Sequence, residues 1–175
     1  MGLSGIGNRV MTKNLYDNQE FWVNRVEMAK STNKPNNSVW KGDWSSIVYN
    51  RRSVINSLIN PNEKILDAGC GYGWLSQEIP NPYVGVDQTV ALVDYGRELY
   101  PDVEIVLSKL QKLPFENDSF DWVVSSCVKQ GIVECEELGE MEKGRWSKIE
   151  SELLRVAKKG IIWPSYSNSY EIIER

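Results

Sequence analysis

The segment Ile65-Leu66-Asp67-Ala68-Gly69-Cys70-Gly71-Tyr72-Gly73 most narrows what this chain can fold into. Lys64 to Ala68 is short and apolar, which reads as a buried strand. It runs directly into three glycines at alternate positions. One glycine would satisfy an ordinary strand-to-helix turn. Three in five residues mark a place where the backbone turns tightly and a ligand can approach the main chain. Trp74 to Glu78 then reads as a helix that Pro80 stops.

Strands and helices alternate after this turn. Tyr83–Val86, Val103–Leu107, Trp122–Ser126 and Ile161–Trp163 read as strands. Thr89–Leu99 and Trp146–Lys159 read as helices, the latter closed by Lys158-Lys159-Gly160. Upstream, Phe21–Lys30 fits an amphipathic helix, and Asp43 is a good cap for a second one ending near Ile59. Residues 1–18, rich in Gly, Asn and Ser, are expected to be mobile. The chain therefore divides into an N-terminal segment with a cap helix, 1–42, and a second unit, 43–175. The pattern predicts a doubly wound, Rossmann-like α/β fold with a parallel sheet in the order 3-2-1-4-5. Pro164 to Arg175 leaves little room for further strands, so the sheet is expected to stop after the fifth. A bare fifth-strand edge would need cover, either from the tail holding Tyr166, Tyr170, Ile172 and Ile173 or from a second copy in a homodimer.

Composition excludes several chemistries. The chain has no histidine, which removes the Ser-His-Asp triad, the Cys-His pair and most zinc hydrolases. Its three cysteines, Cys70, Cys127 and Cys135, match neither a zinc site nor a disulfide framework. The plain reading is a reduced, cytoplasmic protein. No apolar run approaches the ~18 residues of a membrane span, and Met1 to Val10 lacks the apolar centre of a signal peptide. Residues 1–60 carry eight basic against four acidic side chains, and 61–175 carry twelve against twenty. An acidic body argues against nucleic acid as the partner.

Charge also narrows the ligand of the glycine turn. A dinucleotide site uses G-x-G-x-x-G and sets pyrophosphate at a helix N-terminus. Here the spacing is G-x-G-x-G, and Asp67 stands two residues before the first glycine. A carboxylate there would repel phosphate and suit an ammonium or a sulfonium. Asp87, in Val84-Gly85-Val86-Asp87, ends the next strand, where a carboxylate can accept hydrogen bonds from two ribose hydroxyls. A ribose and a positive charge without phosphates describe S-adenosylmethionine. A nicotinamide dehydrogenase is disfavoured on both counts.

On these residues the chain resembles the class I S-adenosylmethionine-dependent methyltransferases of the small-molecule type, over about residues 43–164. Leu113-Pro114-Phe115-Glu116-Asn117-Asp118-Ser119-Phe120-Asp121, followed by Trp122-Val123-Val124-Ser125-Ser126, adds to the resemblance. It implies that Gly69, Cys70 and Gly71 wrap the methionine part of the cofactor, with Asp67 near its amino group. Asp87 would hold the ribose, Gln88 would lie over the adenine, and Leu110 would offer its backbone N–H to the ring. Ser126 and Cys127 would sit beside the sulfonium. Two departures stand out. Lys109 occupies a position where the family often has an aspartate accepting from the adenine amino group, and Lys cannot accept; Ser108 is the alternative. The family's usual last two strands are the second departure. The resemblance implies methyl transfer to a small-molecule acceptor. Its rivals are a non-catalytic cofactor-binding subunit and another S-adenosylmethionine-using enzyme on the same fold.

Other features carry paired readings. Trp40 and Trp44 precede the second helix and can serve as an aromatic lid or as packing. Trp44, Tyr49, Lys129 and Gln130 are candidates for acceptor contact. Arg51 or Arg52 could pair with the cofactor's carboxylate, against the plainer reading of a solvated helix face. Trp122 and Trp163 read as core, and Cys127 as a small strand-end residue without a base. Glu134, Glu136, Glu137, Glu140 and Glu142 read as a solvated acidic run. Their spacing does not gather oxygen ligands for a metal.

Overall fold

A computed structural model describes residues 17–32, 45–126, 128–139, 141–164 and 169–175. The elements are α1 (Gln19–Thr32), α2 (Ser45–Leu58), β1 (Ile65–Ala68), a 3-10 turn (Trp74–Gln77), β2 (Tyr83–Asp87), α3 (Val90–Leu99), β3 (Glu104–Leu107), β4 (Phe120–Val124), α4 (Val128–Glu137), α5 (Arg145–Val156), β5 (Ala157–Pro164) and β6 (Tyr170–Glu174). They build one sheet in the order β3-β2-β1-β4-β5-β6. The first five strands are parallel and follow the expected order. β1, buried at every residue, lies between β2 and β4, with Leu66 opposite Val84 on one side and Val123 on the other. No described helix is long and apolar enough to cross a membrane.

Helices cover both faces. One layer sets Ile132 and Cys135 of α4 and Ile149, Leu153 and Val156 of α5 against Leu66, Val84, Val123 and Ile161. The other sets Val26 and Ala29 of α1, Ile55 of α2 and Leu92 and Tyr95 of α3 around Tyr72, Leu75 and Ile162. The helix α4 adds to the expected elements; Val128, Ile132 and Cys135 recur at helical spacing and are all buried.

Several expected boundaries move, each for a physical reason. Of the segment 1–18, residues 1–16 lie outside the described residues, and Asn18 caps α1 by accepting the Phe21 N–H at 3.0 Å. The helix expected after the glycines is a single 3-10 turn, Trp74–Gln77. Left-handed glycines end at Gly73 and Pro80 follows, so only one turn fits. Helix α5 stops at Val156, and Lys158-Lys159-Gly160 belong to β5 instead of capping a helix. Both lysines are exposed and meet acids on neighbouring segments, Lys158 with Asp121 at 3.0 Å and Lys159 with Glu63.

The sheet does not stop at the fifth strand. The tail returns as β6, antiparallel to β5, pairing Ile161 with Ile173 and Ile162 with Ile172. The edge on which the homodimer expectation rested is thus paired within the chain. The new outer edge exposes Glu171 and Glu174, and charge on an edge strand discourages further pairing.

Candidate functional site

In an open parallel sheet, ligands bind beyond the carboxyl ends of the strands where the strand order reverses. Here that point is the end of β1, flanked by β2 and β4. Gly69, Gly71 and Gly73 all adopt left-handed backbone (φ 80°, 61° and 77°). A Cβ at Gly69 would lie 2.3 Å from the Val128 side chain that opens α4. The turn is thus pressed against the next layer and tolerates no side chain there.

The loop is fastened to β2. The N–H groups of Gly69 and Cys70 both donate to the Val86 carbonyl, at 2.8 and 3.0 Å. Asp87 then ties loop to helix: its Oδ2 accepts from Gly71 N–H and its Oδ1 from Thr89 N–H, both at 2.9 Å. Burial raises the Asp87 carboxyl above its ordinary range, opposed by the hydrogen bonds from Thr89 and Gly71. Asp87 is therefore more than a strand-end acceptor facing outward for a ligand. It positions the glycine backbone and still has lone pairs for further donors.

Asp67 is buried, with 4% exposure, and accepts from the Tyr83 hydroxyl at 2.8 Å. Burial pushes its carboxyl up to about 7, while the Tyr83 hydrogen bond and the charge of Arg51 pull the other way. Arg51 is itself only 3% exposed and lies over the Trp74 ring, 5.6 Å from its centroid. The solvated-face reading fails for Arg51 and suits Arg52, which pairs with Glu78 at 3.2 Å near the surface. Buried Arg51 and Asp67, with the half-buried Tyr83, form a polar group beside the glycine turn. The Cys70 thiol is buried and pushed well up by desolvation and by the two nearby aspartates, which leaves it inert as a nucleophile.

At the end of β4, Ser125 Oγ donates to the Ala68 carbonyl at 2.7 Å and its N–H donates to Ile162 O at 3.1 Å. It knits β1, β4 and β5 together. Ser126, next along, has a buried Oγ with no hydrogen-bond partner among the described residues. Cys127 and Trp44 lie outside the described residues, as does Trp40. Tyr49 falls on α2 and Gln130 on α4, and their side chains are likewise outside the description. Leu110 packs into the core under the α5 layer. Ser108 Oγ donates to Lys112 O at 3.0 Å, and Lys109 is exposed. Lys129 turns toward β6: its ammonium pairs with Glu171 at 2.6 Å and lies over Trp146 and Trp163, 6.0 and 5.6 Å from the ring centroids.

Sequence reasoning missed three residues that shape this region. Tyr83 gave no signal beyond a strand aromatic. Glu136, read as part of a solvated run, accepts from Gly144 N–H at 3.1 Å and Trp146 N–H at 2.5 Å, fixing the start of α5. Arg145, the first residue of α5, forks onto Asp17, with both bonds at 2.8 Å.

A family model described as a methyltransferase domain matches residues 59–173. The chain belongs to this family, whose cofactor is S-adenosylmethionine. Solved structures share the fold. An S-adenosylmethionine-dependent methyltransferase of Methanosarcina mazei is 22% identical with a TM-score of 0.53, over 63% of this chain and 55% of that one. A protein of Pyrococcus horikoshii is 22% identical with a TM-score of 0.59, over 69% and 57%. A TehB-like S-adenosylmethionine-dependent methyltransferase of Corynebacterium glutamicum is 21% identical with a TM-score of 0.57, over 79% and 71%. The matched part thus spans little more than half the length of the first two. No curated protein matches the sequence significantly.

Proposed function

We propose that this chain transfers a methyl group from S-adenosylmethionine to a small-molecule acceptor. The observation that carries the reading is the pair of carboxylates that flank the glycine turn, Asp67 buried in β1 and Asp87 half-buried at the end of β2. The donor set suits this cofactor. Asp67 and Arg51 present opposite charges, which complements the zwitterionic amino-acid end. Asp87 has acceptor capacity left for ribose hydroxyls. The buried, unpartnered Ser126 Oγ offers a polar contact at the end of β4. A pyrophosphate would instead meet two carboxylates.

In this reading Gly69, Cys70 and Gly71 hold the methionine part, Asp87 the ribose, and Gln88 and Leu110 the adenine. Ser126 and Cys127 stand near the sulfonium. Trp44, Tyr49 and Gln130 are the acceptor contacts; Lys129 is engaged by Glu171. The cofactor, when bound, supplies an electrophilic methyl carbon. The chain's own contribution is to align the two reactants and exclude water, which needs no nucleophile or imidazole from the protein.

Incubation with methyl-labelled S-adenosylmethionine and a small-molecule extract is expected to give labelled small molecules together with S-adenosylhomocysteine. Label recovered only in unreacted cofactor would instead favour the non-catalytic binding subunit.

A further inference from the structure

The carboxylate of Asp17, two residues before α1, joins two parts of the carboxyl edge that are remote in sequence. Its Oδ2 accepts from Arg145 Nη1 and its Oδ1 from Arg145 Nη2, both at 2.8 Å, in a bidentate fork. The same Oδ1 accepts from Gln88 Nε2 at 3.1 Å. Gln88 directly follows Asp87 and leads into α3, in the helix layer on one face of the sheet. Arg145 opens α5, in the layer on the other face. Because α5 runs down into the start of β5, its first residue stands at the carboxyl edge. Asp17 therefore bridges the two layers across the edge where the glycine turn and Asp87 lie.

We propose that Asp17 is a positioning residue of the cofactor site. It fixes the Gln88 amide beside Asp87 and straps α1 to the start of α5, so that bound cofactor leaves slowly. The proposal rests on the cofactor reading above. Three features support it. The Arg145 side chain is only 16% exposed and that of Asp17 42%, so the fork is shielded better than an ordinary surface pair, and bidentate geometry makes such pairs strong and directional. The start of α5 is itself pinned by Glu136, so Arg145 is a fixed anchor. The domain match begins at residue 59, so the segment leading into α1 adds the Asp17 side chain to this edge from outside the matched domain.

The test is the release rate of S-adenosylhomocysteine from the full chain, followed by stopped-flow displacement, with thermal melting alongside. Asp17→Ala is expected to speed release about tenfold, the size of effect for a partly shielded, charge-assisted pair, with the melting temperature little changed. Asp17→Glu is expected to restore most of the slow release. Arg145→Gln removes the same fork from the other side and should speed release to a similar degree. Raising the salt concentration should hasten release more in the wild type than in Asp17→Ala, which lacks the Asp17–Arg145 pair to screen. Release unchanged in both Asp17→Ala and Arg145→Gln, with wild-type binding intact, would overturn the strap alone. A wild-type chain that does not bind S-adenosylhomocysteine would overturn the cofactor reading and the strap together.

Discussion

Asp87→Ala is expected to weaken S-adenosylhomocysteine binding by ten- to about a hundredfold, corresponding to ~1.5–3 kcal/mol for hydrogen bonds made to a charged group. Two losses add. The ribose hydroxyls lose their acceptor, and the glycine loop loses the carboxylate that orders Gly71 and Thr89 through their N–H groups at 2.9 Å. The fold should persist, because β2 remains paired with β1 and β3 through Val84, Gly85 and Val86. Asp87→Asn separates the two roles in part, since its single carbonyl oxygen can serve only one side of the carboxylate's network. Calorimetric titration with circular dichroism as a folding control measures this. An unchanged dissociation constant in a natively folded Asp87→Ala protein would place the ribose elsewhere.

Gly160→Ala is expected to be the most destabilising single methyl in the sheet. Gly160 has φ 151°, and a Cβ there would lie 2.1 Å from the Ile173 carbonyl oxygen and 3.0 Å from the Glu174 Cα. Both are backbone atoms of β6, so no side-chain rotation relieves the clash. Either β5 distorts or β6 lifts away. Lifting would expose Ile172 and Ile173 and break the Arg175 N–H bond to Lys159 O at 2.9 Å. A cost of about 2 kcal/mol or more follows from backbone strain of this kind, or at least roughly 4–8 °C in melting temperature for a chain of this size. Thermal melting against an exposed control, Lys158→Ala, measures it. A melting temperature equal to that of the control would mean that β6 does not approach β5 as closely as described.

The two substitutions also separate what the sequence makes legible from what it hides. The glycine turn and Asp87 are readable because their signals are local: a buried strand, three glycines, then a second strand ending in an acid. The parallel order of the first five strands follows from the same alternation. Gly160 carried the opposite message. After Lys158-Lys159 it looks like a helix C-cap, and only the return of β6 shows that it is there for a close backbone approach. Glu136 is likewise indistinguishable from its acidic neighbours until the start of α5 folds back onto it. Arg51 sits in a helix beside Arg52, and nothing local says that one is buried against Trp74 while the other meets Glu78. Asp17 is the extreme case. It contacts Gln88 and Arg145, partners 71 and 128 residues away, so no window of sequence holds the information.

The most direct test of the central claim, a cofactor site built for a cation and a ribose, is titration of the wild-type chain with S-adenosylhomocysteine and NAD between pH 6 and pH 8. The Asp67 carboxyl stands at about 7 in the free protein because it is buried. An ammonium bound beside it would favour the ionised form and lower that value. The complex then holds fewer protons than the free protein across this range, so affinity rises with pH. Two pH units spanning a value near 7 correspond to about a tenfold gain. The expected result is S-adenosylhomocysteine binding far tighter than NAD, with affinity rising from pH 6 to pH 8 in the wild type and flat in Asp67→Asn. NAD binding tighter than S-adenosylhomocysteine, or S-adenosylhomocysteine affinity that falls over the same interval, would contradict it.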